Sequence, residues 1–141
     1  MTHLTIIEHA SAQALDWVRQ IQAEMHLTHE KSAYAALRAV LHVLRDRLAV
    51  KEAADLASQM PTLVRGIYYE GWKPSTVPTK ERTKDEFFQK ISDELQDIRP
   101  INVQAAAEAV FRAFTRHVTE GETAGEYSGD LAPLGFPRSG R

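Results

Sequence analysis

Residues 28–48 read THEKSAYAALRAVLHVLRDRL, and this stretch decides the fold class of the chain. Its apolar residues recur every three or four positions, the spacing that places side chains on one face of an α-helix. The predicted buried face comprises Tyr34, Leu37, Val40, Leu41, Leu44 and Leu48. The opposite face, which carries Arg38, His42, Arg45 and Asp46, is predicted to lie in solvent. Thr28 or Ser32 is suited to cap the start of this helix.

The apolar pattern of this stretch returns 70 residues later in the chain. No gap is needed to align residues 17–52 with their second copy, and Ile21 and Val40 return as Ile91 and Val110. The matched positions are mostly apolar and include no cluster of reactive side chains. The repeat therefore preserves a packing pattern and gives no indication of a catalytic site.

Further helices are predicted on both sides of this stretch, and no segment has the pattern of a strand. The predicted helical segments are residues 15–25, 28–48, 50–59, 61–71, 83–95, 100–118 and, more weakly, 119–131. We therefore expect an all-α bundle of seven or eight helices built from two similar halves. The predicted single domain, 1–141, divides into a repeat half at 12–72, a proline-bearing linker at 73–82, a repeat half at 83–136 and a flexible tail at 137–141.

Two strings of residues carry a resemblance to a known family. LRAVLHVLRDRL at residues 37–48 and YYEGW at residues 68–72 resemble the bacterial domain-of-unknown-function 2267 family, and so does the start of the second half at residues 83–88. The likeness covers roughly residues 15–131. It implies an all-helical, soluble bacterial domain. The resemblance brings no established activity, so it transfers no catalytic residue.

Composition excludes several functional classes. The formal net charge of −2 contrasts with the strong basic excess of a general nucleic-acid binder. Cysteine is absent, which excludes disulfides, thiolate zinc sites and iron–sulfur clusters. No run approaches the roughly 20 apolar residues that span a bilayer, and residues 1–10 lack the pattern of a signal peptide. We expect a cytoplasmic protein with no cofactor and no nucleic-acid or membrane partner.

An aromatic string near the end of the predicted helix at 61–71 is the first candidate site. It combines Tyr68, Tyr69 and Trp72 with Arg65, and ligand pockets and interface hot spots use such residues. The simpler interpretation is that Tyr68 and Trp72 fasten the following linker over the core. The second half lacks this string, which favours a ligand or partner contact specific to the first half.

A weaker candidate is the basic face formed by Arg38, His42 and Arg45, which could bind phosphate or an acidic partner. A solvated helix surface paired with neighbouring carboxylates is the simpler interpretation. His26 and His29 are expected to flank a turn between helices. No glutamate precedes a histidine by three residues, so no metal ligand is predicted, and no serine lies in a nucleophile motif, so no catalytic residue is predicted.

Three functional hypotheses follow from these observations. The leading hypothesis is a non-enzymatic helical module that binds a protein partner or associates with itself, for example as a homodimer. The alternative is a small-molecule binding or sensor protein whose pocket lies between the two halves and is lined by Arg65, Tyr68, Tyr69 and Trp72. A metal-dependent enzyme is the third and least favoured hypothesis.

Overall fold

The computed structural model describes residues 4–80, 83–95 and 101–118, which form α-helices joined by short turns. In chain order the helices are α1 (Thr5–Glu24), α2 (Glu30–Arg47), α3 (Val50–Ala57), α4 (Thr62–Tyr69), α5 (Lys84–Glu94) and α6 (Val103–Val118), with a 3-10 turn at Pro74–Thr76. These ranges contain no strand, which confirms the all-α class. They hold six α-helices instead of seven or eight. The helix predicted at 119–131 and the tail at 137–141 lie outside the described residues.

The connection between α1 and α2 is a hydrogen-bonded turn that ends the first helix. His26 adopts the left-handed conformation with φ of 55°. Its N–H donates to the carbonyl of Ala23 at 3.2 Å, and the N–H of Leu27 donates to the carbonyl of Gln22 at 2.9 Å. This pair of bonds is the Schellman motif, whose left-handed position is usually glycine. His29 then occupies the N-cap position of α2 without a capping bond from its side chain, so the two histidines flank the turn as predicted, while neither Thr28 nor Ser32 is the cap residue.

Side chains cap two helix starts in the second half. The Thr83 hydroxyl accepts the N–H of Glu86 at 3.1 Å, and the Glu86 carboxylate accepts the N–H of Thr83 at 3.3 Å. This reciprocal pair is a capping box. Asn102 Oδ1 accepts the N–H of Ala105 at 2.9 Å, so Asn102 is the cap residue of α6.

The four longest described helices pack in a pattern that survives exchange of the two halves. α1 packs against α2 as α5 packs against α6, and α1 contacts α6 as α5 contacts α2. α2 and α6 exchange places with each other in this comparison, and they also pack together. A duplicated helix pair would produce these contacts, while the 70-residue repeat itself stays a prediction. α4 packs on α1 and α2, so it belongs with the first half.

The core contains the large side chains at the predicted inward positions. Its most completely buried large residues include Trp17, Ile21, Leu37, Val40, Phe87, Ile91 and Val110. Two positions were predicted to face inward and do not. Tyr34 is 42% exposed and Leu15 is 39% exposed. No helix in the described part of the chain is long and apolar enough to cross a membrane.

The polar face of α2 is the main correction to the sequence prediction. His42 and Arg45 were expected in solvent, yet their exposed fractions are 6% and 4%. Both side chains meet the end of α4, because α4 packs on this side of α2. Arg38 and Asp46, at the edge of the contact, keep intermediate exposure. The linker also reaches α2, since the N–H of Thr79 donates to the carbonyl of Asp46 at 2.8 Å.

Candidate functional site

Side chains from α2 satisfy the carbonyl groups at the end of α4. The last carbonyls of an α-helix have no partner within the helix, so buried helix ends need donors from elsewhere. His42 Nε2 lies 2.7 Å from the Ile67 carbonyl oxygen. Arg45 Nη1 donates to the carbonyls of Tyr68 at 2.9 Å and Glu70 at 2.8 Å. The Arg45 guanidinium also places positive charge at the negative end of the α4 dipole.

The rest of the basic face is also paired. Arg45 donates through Nε to Asp46 Oδ1 at 2.7 Å and through Nη2 to Asp46 Oδ2 at 3.1 Å. Arg38 Nε donates to the Glu70 carboxylate at 3.0 Å. Arg38, His42 and Arg45 therefore fasten α4 to α2, and the simpler interpretation of a solvated face is wrong for His42 and Arg45. The same bonds leave the Arg45 guanidinium little capacity to hold a phosphate.

His42 is held in its neutral form by its surroundings. Burial lowers the pKa of His42 below its ordinary value of 6.5, because the charged ring would lose its water. The hydrogen bond to Ile67 opposes this shift, the positive charges of Arg45 and Arg38 add to it, and Glu94 on α5 opposes it weakly. A neutral ring protonated on Nε2 donates to the Ile67 carbonyl and accepts through Nδ1.

The aromatic string forms a chain of ring contacts at the end of α4. Tyr68 is fully buried, and its hydroxyl donates to the carbonyl of Ala53 on α3 at 2.9 Å. Burial raises the pKa of Tyr68, so its hydroxyl stays protonated and donates. The ring centroid of Tyr69 lies 5.3 Å from that of Tyr68 and 5.2 Å from that of Trp72. Tyr69 and Trp72 are half-buried, and Trp72 Nε1 is a buried donor with no hydrogen-bond acceptor in the described structure.

The hydrogen bonds of Arg65 go to backbone carbonyls and not to the aromatic string. Its Nε donates to the Ala57 carbonyl at 3.1 Å, and its Nη2 donates to the Met60 carbonyl at 2.7 Å. Ala57 is the last residue of α3, and Met60 lies in the turn that follows it. Arg65 therefore supplies donors to the end of α3, as Arg45 supplies donors to the end of α4. The guanidinium predicted to accompany the aromatic string thus holds two short helices together.

A small polar cleft lies between α2 and α5, where the two halves meet. It is lined by His42, Val43, Arg45, Asp46, Thr79, Lys90 and Glu94, and its volume is about 70 Å³. A water molecule takes roughly 30 Å³ of liquid volume, whereas small-molecule sites occupy about 300–1,000 Å³. The cleft therefore fits two or so waters and is too small for a metabolite. None of the four aromatic-string candidates lines it.

The described residues also bear on the metal hypothesis. They contain no group of three or more histidine, aspartate or glutamate side chains arranged to hold a metal ion. His26 and His29 lie at the exposed α1–α2 turn. The metal-dependent enzyme hypothesis thus gains no support from this part of the chain.

An exposed apolar surface near the start of α1 was missed by the sequence prediction. Leu4, Ile7 and Leu15 are 62%, 59% and 39% exposed and share one side of the helix, and we call these three residues the α1 apolar face; Ile6, at 75% exposed, lies on the side opposite Leu4 and Leu15. The prediction placed the helix start near Leu15, whereas the helix begins ten residues earlier at Thr5. The available signal was the helical spacing of Leu4 and Ile7 with the buried Val18 and Ile21.

Comparison with known proteins agrees with the resemblance seen in the two sequence strings. No curated protein matches the chain. A family match covers residues 15–125, and the family is described as "Uncharacterized conserved protein (DUF2267)". This range includes every described helix from α2 to α6 together with the second half of α1. The chain therefore belongs to the DUF2267 family.

Proposed function

We propose that this protein is a non-enzymatic helical interaction module that binds a protein partner through the α1 apolar face. The observation that carries the proposal is the exposure of Leu4 and Ile7, at 62% and 59%, three positions apart on one side of α1. Contiguous apolar surface of this kind on a small protein often marks a binding site. Isolated exposed apolar residues are ordinary, but Leu15 extends this surface along the same side of the helix.

The charged candidate residues support this proposal because their side chains already bond to groups of the same molecule. Arg45 and Arg65 are bonded to carbonyls at the ends of α4 and α3, and Arg38 is paired with Glu70. The cleft between α2 and α5 is too small for a metabolite, so it does not supply the pocket that the sensor alternative requires. An apolar surface contact is the kind of recognition best supported by the remaining exposed features.

The proposal also includes the domain organisation, the cellular location and a second contact site predicted from the sequence. We infer one bundle over residues 1–141, with repeat halves 12–72 and 83–136 joined by the linker 73–82, in a cytoplasmic protein. Tyr69 and Trp72 remain candidates for a second partner contact, because both rings are half-buried and adjacent.

Site-specific photo-crosslinking in cells tests the proposal. A photoreactive amino acid at position 7 samples the α1 apolar face, and one at position 51 on α3 provides the control. Lys51 suits this purpose because its side chain is 85% exposed and lies outside the α1 apolar face. We expect a discrete crosslinked product from position 7 that position 51 does not give.

The crosslinked partner must then bind the purified protein and lose affinity on Ile7→Asp substitution. The matched control, Lys51→Asp, changes charge at an exposed position and should leave binding unchanged. Crosslinking that is absent at position 7, or equal at both positions, would contradict the proposal.

A further inference from the structure

We propose that the occupant of the α1 apolar face is the same face of a second copy of this chain, packed antiparallel across a two-fold axis. This inference rests on the proposed function and names its partner. The seam of contact runs along residues 4, 7, 11 and 14, which alternate in spacing between three and four residues. That alternation is the heptad spacing by which two helices pack along a shared seam.

The same seam continues into the core of the molecule. Val18 and Ile21 follow at the next two positions of the alternating spacing, and both are buried. Ala14 is half-buried and packs against the core of its own molecule, while Leu4, Ile7 and Ser11 are exposed. α1 thus presents one continuous stripe that its own molecule covers from Ala14 onward and that is exposed at Leu4, Ile7 and Ser11.

Residue size along the exposed seam is self-complementary. The seam carries large side chains at Leu4 and Ile7 and small ones at Ser11 and Ala14. In an antiparallel pair centred between positions 7 and 11, Ile7 faces Ser11 of the partner copy and Leu4 faces its Ala14. Each large side chain then enters the space over a small one, as close packing requires. The match holds for both copies at once, as a two-fold interface demands.

The length of the seam limits the strength of this dimer. Eleven helical residues span about 16 Å, because a helix rises about 1.5 Å per residue. Such a contact falls below the roughly 1,200 Å² of total buried surface that stable complexes reach. We therefore expect a reversible dimer with a dissociation constant in the micromolar range or above, and not an obligate one.

Sedimentation velocity from about 1 μM to about 1 mM protein measures this equilibrium. We expect the 15.8 kDa monomer at the lowest concentration and a rising dimer fraction above it. Ile7→Ser should weaken dimerisation at least about tenfold, because each dimer loses two buried side chains. Ser11→Ile should also weaken it, since two large residues would then meet.

The double variant Ile7→Ser with Ser11→Ile exchanges the two sizes and keeps each large residue opposite a small one, so it should recover dimerisation. Ile6→Ser is the matched control, because Ile6 is the more exposed residue at 75% but lies off the seam. Circular dichroism checks that all variants stay helical. A monomer at all concentrations, no recovery in the double variant, or an equal effect of Ile6→Ser would overturn this inference. A monomeric protein that still crosslinks to a different partner through position 7 would leave the proposed function standing.

Discussion

Replacing Arg45 with methionine should destabilise the fold more than any other single change of charge on α2. The substitution keeps much of the side-chain volume but removes the donors to the carbonyls of Tyr68 and Glu70 and to the carboxylate of Asp46. Removing one partner of a buried charged contact costs about 3–5 kcal/mol, because the groups left behind lose their bonds without regaining water. Native domains are stable by only about 5–15 kcal/mol, so the loss is a large share of the total.

Urea unfolding followed by circular dichroism measures this loss. With a slope of about 2 kcal/mol per molar urea, the midpoint should fall by roughly 2 M while the slope stays unchanged. Arg38→Met is the matched control, because Arg38 also reaches the end of α4 but its pair with Glu70 is exposed. Exposed pairs contribute about 0–1 kcal/mol, so the control should lose little. A loss below about 1 kcal/mol for Arg45→Met, or equal losses for both variants, would refute the assigned role of Arg45.

Three further predictions concern the turn, a cap and the buried histidine. His26→Gly should stabilise the protein by about 0.5–1 kcal/mol in thermal unfolding, because glycine adopts the φ of 55° without strain; a loss would contradict this. Thr83→Ala should cost about 1 kcal/mol by the same assay, while unchanged stability would show that the capping box contributes nothing. The lowered pKa of His42 means that the unfolded state binds its proton more readily, so this residue reduces stability as pH falls below 6.5. The stability difference between the native protein and His42→Gln, measured by urea unfolding, should therefore shrink from pH 7.5 to 5.5, and a constant difference would exclude this linkage.

Helix positions were predictable because local chemistry sets them. The capping box at Thr83 and the cap at Asn102 each act within three residues, so the sequence contains both partners. The inward positions Ile21, Val40 and Phe87 were predictable for a similar reason, since helical spacing alone brings them to one face. The start of α1 was missed because the apolar pattern was followed only from Leu15.

The burial of His42 and Arg45 was not predictable from helical spacing. Both residues lie on the polar side of α2, and a polar side faces solvent unless another element packs there. Which element does so depends on α4, whose last carbonyls require donors. The partner groups are more than 20 residues away in sequence and are backbone atoms, so no residue type marks them. The contacts of Arg65 were not predictable for the same reason, because its acceptors are the backbone carbonyls of Ala57 and Met60.

The α1–α2 pair packs on the α5–α6 pair, and this packing does not depend on the chain segment that joins the two pairs. Each helix pair buries its apolar face on the other pair, so a chain of half this length could build the same four-helix core from two molecules. Joining the halves replaces a bimolecular encounter by an intramolecular one at an effective concentration of order millimolar. If the predicted repeat reflects a fusion of two such copies, the fusion would make the core independent of protein concentration and would let each half diverge; the aromatic string at residues 68–72 occurs in only one of the predicted halves.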